Sequence, residues 1–235
     1  MSEYIFPPQP QAKADIYGDD RSFPVRRIFC VGRNYAAHAR EMGFDDREPP
    51  FFFSKPADAL VKTGAHIPYP PITSNFHYEI ELVLGIGKDG ANIPVDKAFD
   101  HIWGAGVGID FTRRDQQIAH REKGRPWDWG KAFDNSAPLA PMLAMSDVPD
   151  AQKDLSKGRI WLSVNDEIKQ DACLSDLTWN VSEIIAFCSQ SVTLKRGDLI
   201  FTGTPSGVGA VVAGDVIKGG IEGLGEIEIT LTEAG

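Results

Sequence analysis

The chain has 235 residues, 42% of them hydrophobic, with Gly 23 and Pro 16. That suits one domain with a sizeable core and many turns, hence a β-rich fold. Lys+Arg 24 against Asp+Glu 33 leaves a net charge of −9, which argues against a nucleic-acid or anionic-membrane partner but not against a small anion held in a local pocket. Cys30, Cys173 and Cys188 are odd in number and lack metal spacing, so they read as buried thiols of a reducing compartment. With no secretory leader and no apolar run of membrane length, the expectation is a cytoplasmic protein.

Residues 1–24 carry several prolines and few core residues, which predicts an extended arm. Arg26–Gly32 reads as a short strand, and Asn34 as the cap of a helix through Tyr35, His38 and Glu41 to Met42, stopped by Gly43. A polar loop over 43–50 leads to an apolar strand, Phe51–Lys55. The next strand, 76–84, alternates strictly: Tyr78, Ile80, Leu82 and Leu84 share one face, Glu79, Glu81 and Val83 the other. Residues 95–102 have helical spacing, followed by a glycine-rich strand from Trp103 to Ile109 that ends at Asp110. Thr112 is a candidate cap for a helix over Arg113–Glu122.

Residues 123–136 fit no period. Ile160–Val164 reads as a strand that turns at Asn165-Asp166 into a second one, and 181–190 as a helix capped by Ser182. Leu199–Thr202 is a strand entering Gly203-Thr204-Pro205-Ser206-Gly207, and the C-terminal end alternates at 215–217 and 226–231. Many short strands with few helices predict a mixed β architecture, not a wound parallel sheet.

Glu79 and Glu81 on one half-buried face repel each other and lose hydration, so either one takes up a proton or a cation sits between them. With Asp110 they make a candidate three-carboxylate site for a hard divalent cation; taken alone, the pair reads first as two surface acids on a solvated strand face, and the neighbouring motifs reverse that. His38 and Glu41, three apart on a helix, place a carboxylate against an imidazole, a pairing that makes a better base but is also common by chance on a surface helix. Arg114 and Gln117 stand one helical turn apart, suited to a carboxylate or to a solvated charge cluster. Lys131 sits in an aromatic stretch, where it would hydrogen-bond a negative intermediate if the site is near and face solvent if it is not. The 203–207 loop lacks the lysine of a phosphate loop; its N–H groups and the Thr204 hydroxyl would bind a carboxylate or oxyanion, or simply turn the chain.

Together, Gly32-Arg33-Asn34-Tyr35 with His38-x-x-Glu41, Lys55-Pro56, Tyr78-Glu79-x-Glu81, and Gly108-x-Asp110 with Arg114-Asp115-x-Gln117 form an ordered series. Trp127 before Lys131 and Thr202-Gly203-Thr204-Pro205-x-Gly207-Val208-Gly209 complete it. The series resembles the fumarylacetoacetate hydrolase family over residues 26–231. The resemblance implies a mixed β (α+β) fold, the family's β-sandwich roll with a few short helices, over residues 25–235, and a homodimer. It implies Mg²⁺, or Mn²⁺ or Ca²⁺, on Glu79, Glu81 and Asp110. It also implies a water-activating His38–Glu41 dyad on a mobile lid, a catalytic Lys131, and substrate contacts from Arg33, Arg114, Gln117 and Thr204.

The chain is too short for the extra domain of the long form, and so looks like the short acylpyruvate type. Arg113-Arg114-Asp115 and the 123–134 segment are similar to bacterial fumarylpyruvate hydrolases of gentisate breakdown. The implied reaction is metal-dependent hydrolysis of an acylpyruvate, most like fumarylpyruvate, with Arg113, Arg121 and Arg125 as candidates to read its distal carboxylate. Oxaloacetate decarboxylation, isomerisation of 2-hydroxyhepta-2,4-diene-1,7-dioate, and a non-enzymatic organic-acid-binding module are the competing readings.

Overall fold

Strand Ile80–Ile86 is buried along its whole length because its two faces feed different cores. Ile80, Leu82 and Leu84 enter one apolar cluster and Val83 another, the alternation that a pleated backbone imposes. In the computed structural model, which describes residues 4–35 and 48–234, this strand lies inside an eight-stranded sheet. Asp198–Phe201 and Ile102–Ile109 flank it, both antiparallel. Arg27–Gly32 and Phe51–Lys55 extend the sheet on one side, Ala137–Leu139 and Leu60–Lys62 on the other.

A second, five-stranded sheet holds Arg159–Val164, Glu167–Cys173, Val216–Ile221, Gly225–Thr232 and His66–Pro68. Its hairpin turns at Asn165 and Asp166, with φ of 50° and 65°, residue types that tolerate left-handed backbone. Ile160, Leu162, Ile217 and Ile229 join Leu82, Leu84, Val107 and Ile109 in the larger core, so one apolar layer fills the space between the sheets. Helix Val181–Ser191 adds Ile184, Ile185 and Cys188 to that layer. The expected sheet-dominated α+β class is what is found, and among the described residues no helix is long and apolar enough to cross a membrane.

Several local expectations are corrected. Residues 13–24 are not an extended arm: Lys13–Ile16 and Asp19–Pro24 pair as a hairpin. Ala14 and Phe23 are buried with Ile28, Cys30, Val83 and Phe201 in the second core. The prolines that suggested an arm lie before this hairpin or at its last residue. Asn180, not Ser182, caps the 181–191 helix, because only Asn180 has a glutamate three residues on to close a reciprocal box (Glu183 N–H to Asn180 Oδ1, 3.0 Å; Asn180 N–H to Glu183 Oε2, 2.9 Å). Val95–His101 is 3-10 rather than α-helical.

The helix after Asp110 starts at Arg114. Thr112 does not cap it, since its hydroxyl accepts from Lys131 Nζ at 2.6 Å and faces Asp110 O at 3.2 Å. Most of the helix predicted from Asn34 to Met42 lies outside the described residues. Asn34 itself is spent on the strands: its amide donates to Trp179 O and Thr202 O and accepts from Trp179 N–H.

One correction shapes the site. The single strand predicted over 76–84 is two, Phe76–Tyr78 and Ile80–Ile86, parted at Glu79. Phe76–Tyr78 leaves the large sheet for a three-stranded one with Thr112–Arg113 and Gly209–Val211. The partner strand breaks beside it, and the Asp110 N–H donates to Glu79 O at 2.8 Å. Two chains thus pass from one sheet to another at the same place, and an acid sits at each break.

Candidate metal centre and substrate cavity

Glu79, Glu81 and Asp110 are all buried, at 6%, 1% and 0% exposure, and one oxygen from each lies within 4.8 Å of the others. Glu81 faces Gly108 across the sheet; a Cβ on Gly108 would meet Val83 Cγ2 at 2.6 Å and the Phe201 ring at 2.7 Å, so only glycine lets the strands close here. Gly203, at φ 100°, donates its N–H to Glu81 Oε2 at 2.8 Å. That N–H was a candidate for holding a substrate oxyanion; it holds a carboxylate of the protein instead.

Three cations answer two of the acids, Glu79 and Asp110. Lys131 Nζ bridges Glu79 Oε2 (2.9 Å) and Asp110 Oδ2 (2.7 Å) and donates to Thr112 Oγ1 (2.6 Å). Arg114 binds Glu79 Oε1 and, at 2.5 Å, Gln117 Oε1. Lys55, its side chain fully buried, approaches Asp110 Oδ1 at 2.8 Å and donates to Phe111 O at 3.1 Å. Burial works to lower the Lys131 ammonium, but Asp110 and Glu79 outweigh it and hold its pKa above the ordinary value. Burial, with Asp110 and Glu79 adding to it, pushes the Glu81 carboxyl well above the usual range. His77 is pulled down to about 4, by burial first and the Arg114 charge second; it is a neutral ring that accepts from Arg114 Nε at 3.4 Å and meets Asn75 Oδ1 at 2.8 Å.

The donor set suits a hard divalent ion: three convergent buried carboxylates, whose cation-paired oxygens each keep a second lone pair. Glu79 and Glu81 line a cavity of about 40 Å³ together with Arg33, Arg114, Gln117, Arg121, Lys131 and Thr204. An aromatic cleft of about 560 Å³, walled by Phe51, Phe52 and Trp127, adjoins it, and the two share Arg33, Phe53, Trp127 and Lys131.

The profile described as fumarylacetoacetate (FAA) hydrolase C-terminal matches residues 27–232. The chain belongs to the fumarylacetoacetate hydrolase family. Within it, the chain is 48% identical over 187 residues to the fumarylpyruvate hydrolase of Ralstonia sp., covering 80% of this chain and 95% of that one. It is 40% identical to the mitochondrial oxaloacetate decarboxylase of Dictyostelium discoideum, over 85% and 90% of the two chains. Its fold superposes with a TM-score of 0.94 on the crystal structure of the Pseudomonas aeruginosa fumarylpyruvate hydrolase in complex with Mn²⁺ and pyruvate, at 50% identity over 98% and 99% of the two chains.

Of the family-type site residues expected from sequence, Glu79, Glu81, Lys131, Arg33, Arg114, Gln117 and Thr204 are brought to one cavity, Asp110 joins the two glutamates within 4.8 Å, and His38 and Glu41 lie outside the described residues. The surplus arginines part company. Arg121 lines this cavity, and Arg125 is exposed. Arg113 turns away, its guanidinium 4.1 Å over the Phe133 ring, lining a separate hollow with Tyr69 and Phe76.

Sequence reasoning gave no role to Lys55 or Gln170. A lysine closing the run Phe51-Phe52-Phe53-Ser54 was a visible signal for the first. Gln170, fully buried, accepts from Ile80 N–H (3.1 Å) and donates to Thr204 Oγ1 and Pro205 O (both 2.8 Å); it sits in a strand of mostly polar sequence that gave no sign of it.

Proposed function

We propose that the chain hydrolyses the carbon–carbon bond of an acylpyruvate, with fumarylpyruvate giving fumarate and pyruvate, as in gentisate degradation. The observation that carries this is the buried Glu79–Glu81–Asp110 trio beside Lys131 and Arg114, in a chain half identical to a fumarylpyruvate hydrolase solved with Mn²⁺ and pyruvate. Glu79, Glu81 and Asp110 would hold Mg²⁺, with Mn²⁺ or Ca²⁺ as alternatives. When bound, the ion supplies Lewis-acid polarisation of the keto acid's oxygens.

Arg114, Gln117 and Thr204 would orient the pyruvoyl end, with Arg33 contacting substrate in the same cavity. The Lys131 ammonium, held by three oxygens, would stabilise negative charge as it develops, at no cost in reorganisation. His38, oriented by Glu41, would take the proton from water; that assignment comes from the family resemblance. The water oxygen bonds to the distal carbonyl carbon, and the bond from that carbon to the methylene breaks. The electron pair leaves with the pyruvate fragment, and a proton returned to the methylene completes pyruvate. A homodimer and a cytoplasmic setting belong to the same reading.

The Dictyostelium relative supports a second reading, oxaloacetate decarboxylation on the same acids. One assay separates them. The ultraviolet absorbance of fumarylpyruvate and of oxaloacetate is followed with Mg²⁺ and again with EDTA, and the products are identified. Loss of fumarylpyruvate absorbance with release of fumarate, stopped by EDTA, is expected; EDTA-resistant turnover, or turnover of oxaloacetate alone, rejects the proposal.

A further inference from the structure

Helix Arg114–Glu122 carries Arg114, Gln117 and Arg121 toward one cavity. Residues seven apart on an α-helix lie within about 20° of each other around the axis and about 10 Å apart along it. At the inner end Arg114 is committed to Glu79 and Gln117, and both Arg114 and Gln117 are 7% exposed. At the outer end Arg121 is half-buried, and among the described residues its guanidinium lies within 4.0 Å of no carboxylate. Arg33 faces the same cavity from the end of strand Arg27–Gly32. It stands at a left-handed φ of 58°, which is costly for a branched-free but bulky side chain and tends to persist at ligand sites. Its guanidinium lies 5.3 Å over the Phe51 ring. Burial first, and then the Arg121 charge, lower its pKa, while Glu48 raises it; the two guanidinia share one cavity and repel. An anion between them would convert that repulsion into two charge-assisted contacts.

We propose that Arg121, together with Arg33, binds the distal carboxylate of a dicarboxylic acylpyruvate, and that the 114–122 helix sets the length of substrate accepted. The inference rests on the acylpyruvate reading of the carboxylate trio. An extended seven-carbon diacid spans roughly 7.5 Å between its end carbons, with carbon–carbon bonds of about 1.5 Å. Adding one contact of about 2.8 Å covers the distance from the Arg114 end to Arg121. A four-carbon diacid such as oxaloacetate falls roughly 4 Å short, and acetylpyruvate has no second carboxylate. The inner end would therefore recognise the keto acid, and the outer end would separate a fumarylpyruvate-type substrate from its shorter relatives.

The test uses binding, so that it does not depend on turnover. Calorimetry with Mg²⁺ compares 2-oxoheptanedioate with 2-oxoheptanoate, equal in length but lacking the far carboxylate. The wild-type protein should bind the diacid about 30-fold more tightly, the worth of one charge-assisted pair. In Arg121→Met that advantage should collapse to within about threefold, Arg121→Lys should restore part of it, and Arg125→Met should leave it intact. Thermal melts confirm that each variant is folded. A wild-type protein without preference for the diacid, or an Arg121→Met variant that keeps it, overturns the proposal. If the preference is found but fumarylpyruvate is not hydrolysed, the reaction assignment fails and the carboxylate site stands.

Discussion

The two ends of strand Asp198–Phe201 both bury carboxylates, and they are built on opposite principles. At the start, Asp198 is fully buried and over-supplied with positive charge. Arg27 reaches it at 2.6 Å, Arg26 at 3.3 Å, and the Lys195 N–H donates at 2.8 Å. Just past the strand's end, Gly203 gives its N–H to Glu81, one of three acids crowded within 4.8 Å. One carboxylate drawing two guanidinia closes a loop. Three carboxylates facing one another, two held by cations and one by a backbone N–H, all with lone pairs unused, make a place where another cation is wanted. Burial alone does not distinguish a clamp from a site; the ratio of acids to bases, and what the acids face, does.

Glu81→Gln tests that distinction most severely. Turnover should fall by at least about 10³-fold with loss of Mg²⁺ binding, since a metal-assisted step is worth several kcal/mol. The melting temperature without metal should hold or rise, because burial and the two acidic neighbours already disfavour a charge at this position. Near wild-type, Mg²⁺-dependent turnover would show that the trio is a structural cluster like Asp198's. Asp198→Asn is the mirror experiment. Removing one partner of a buried pair typically costs 3–5 kcal/mol; here Arg26 and Arg27 keep 49% and 33% exposure and can rehydrate, so about 3 kcal/mol is expected. Denaturant titration reads that loss, while Mg²⁺ affinity should not move. A fall in Mg²⁺ affinity instead would join the two ends of the strand into one device.

The acids were legible because Glu79 and Glu81 share one face of an alternating run with Val83, which marks that face as half-buried, and Asp110 follows a glycine-rich strand. Strands were legible for the same reason, a period of two over apolar residues. Their hand-over between sheets was not, because alternation runs unbroken through Glu79 while the hydrogen-bonding partner changes from Gly209–Val211 to Asp198–Phe201. That Arg113, unlike Arg114, turns away from the cavity was not legible in the sequence. They are neighbours, and only the passage from the short Thr112–Arg113 strand into the helix sends one onto Phe133 and the other onto Glu79. The cap at Asn180 was legible and missed, since Glu183 three residues later marks it.

The smallest effect belongs to Gln170, which bears on both halves of the comparison. It reaches Ile80, one residue past Glu79, and Thr204, one residue past Gly203, so it ties the acid-bearing strand to the loop that lines the cavity. Gln170→Leu leaves one buried donor and two acceptors without their partner, a cost of about 1–3 kcal/mol. If the tie only holds the sheets together, denaturant titration records that loss and KM stays put. If it also aims Thr204 at the substrate, KM should rise by about three- to tenfold beyond what the folded fraction explains, with kcat little changed, because Thr204 would then touch substrate and transition state alike. The second outcome is expected, since the Thr204 hydroxyl accepts from Gln170 while facing the cavity. An unchanged KM would assign Gln170 wholly to the clamp side and leave the cavity's polar wall to the helix arginines.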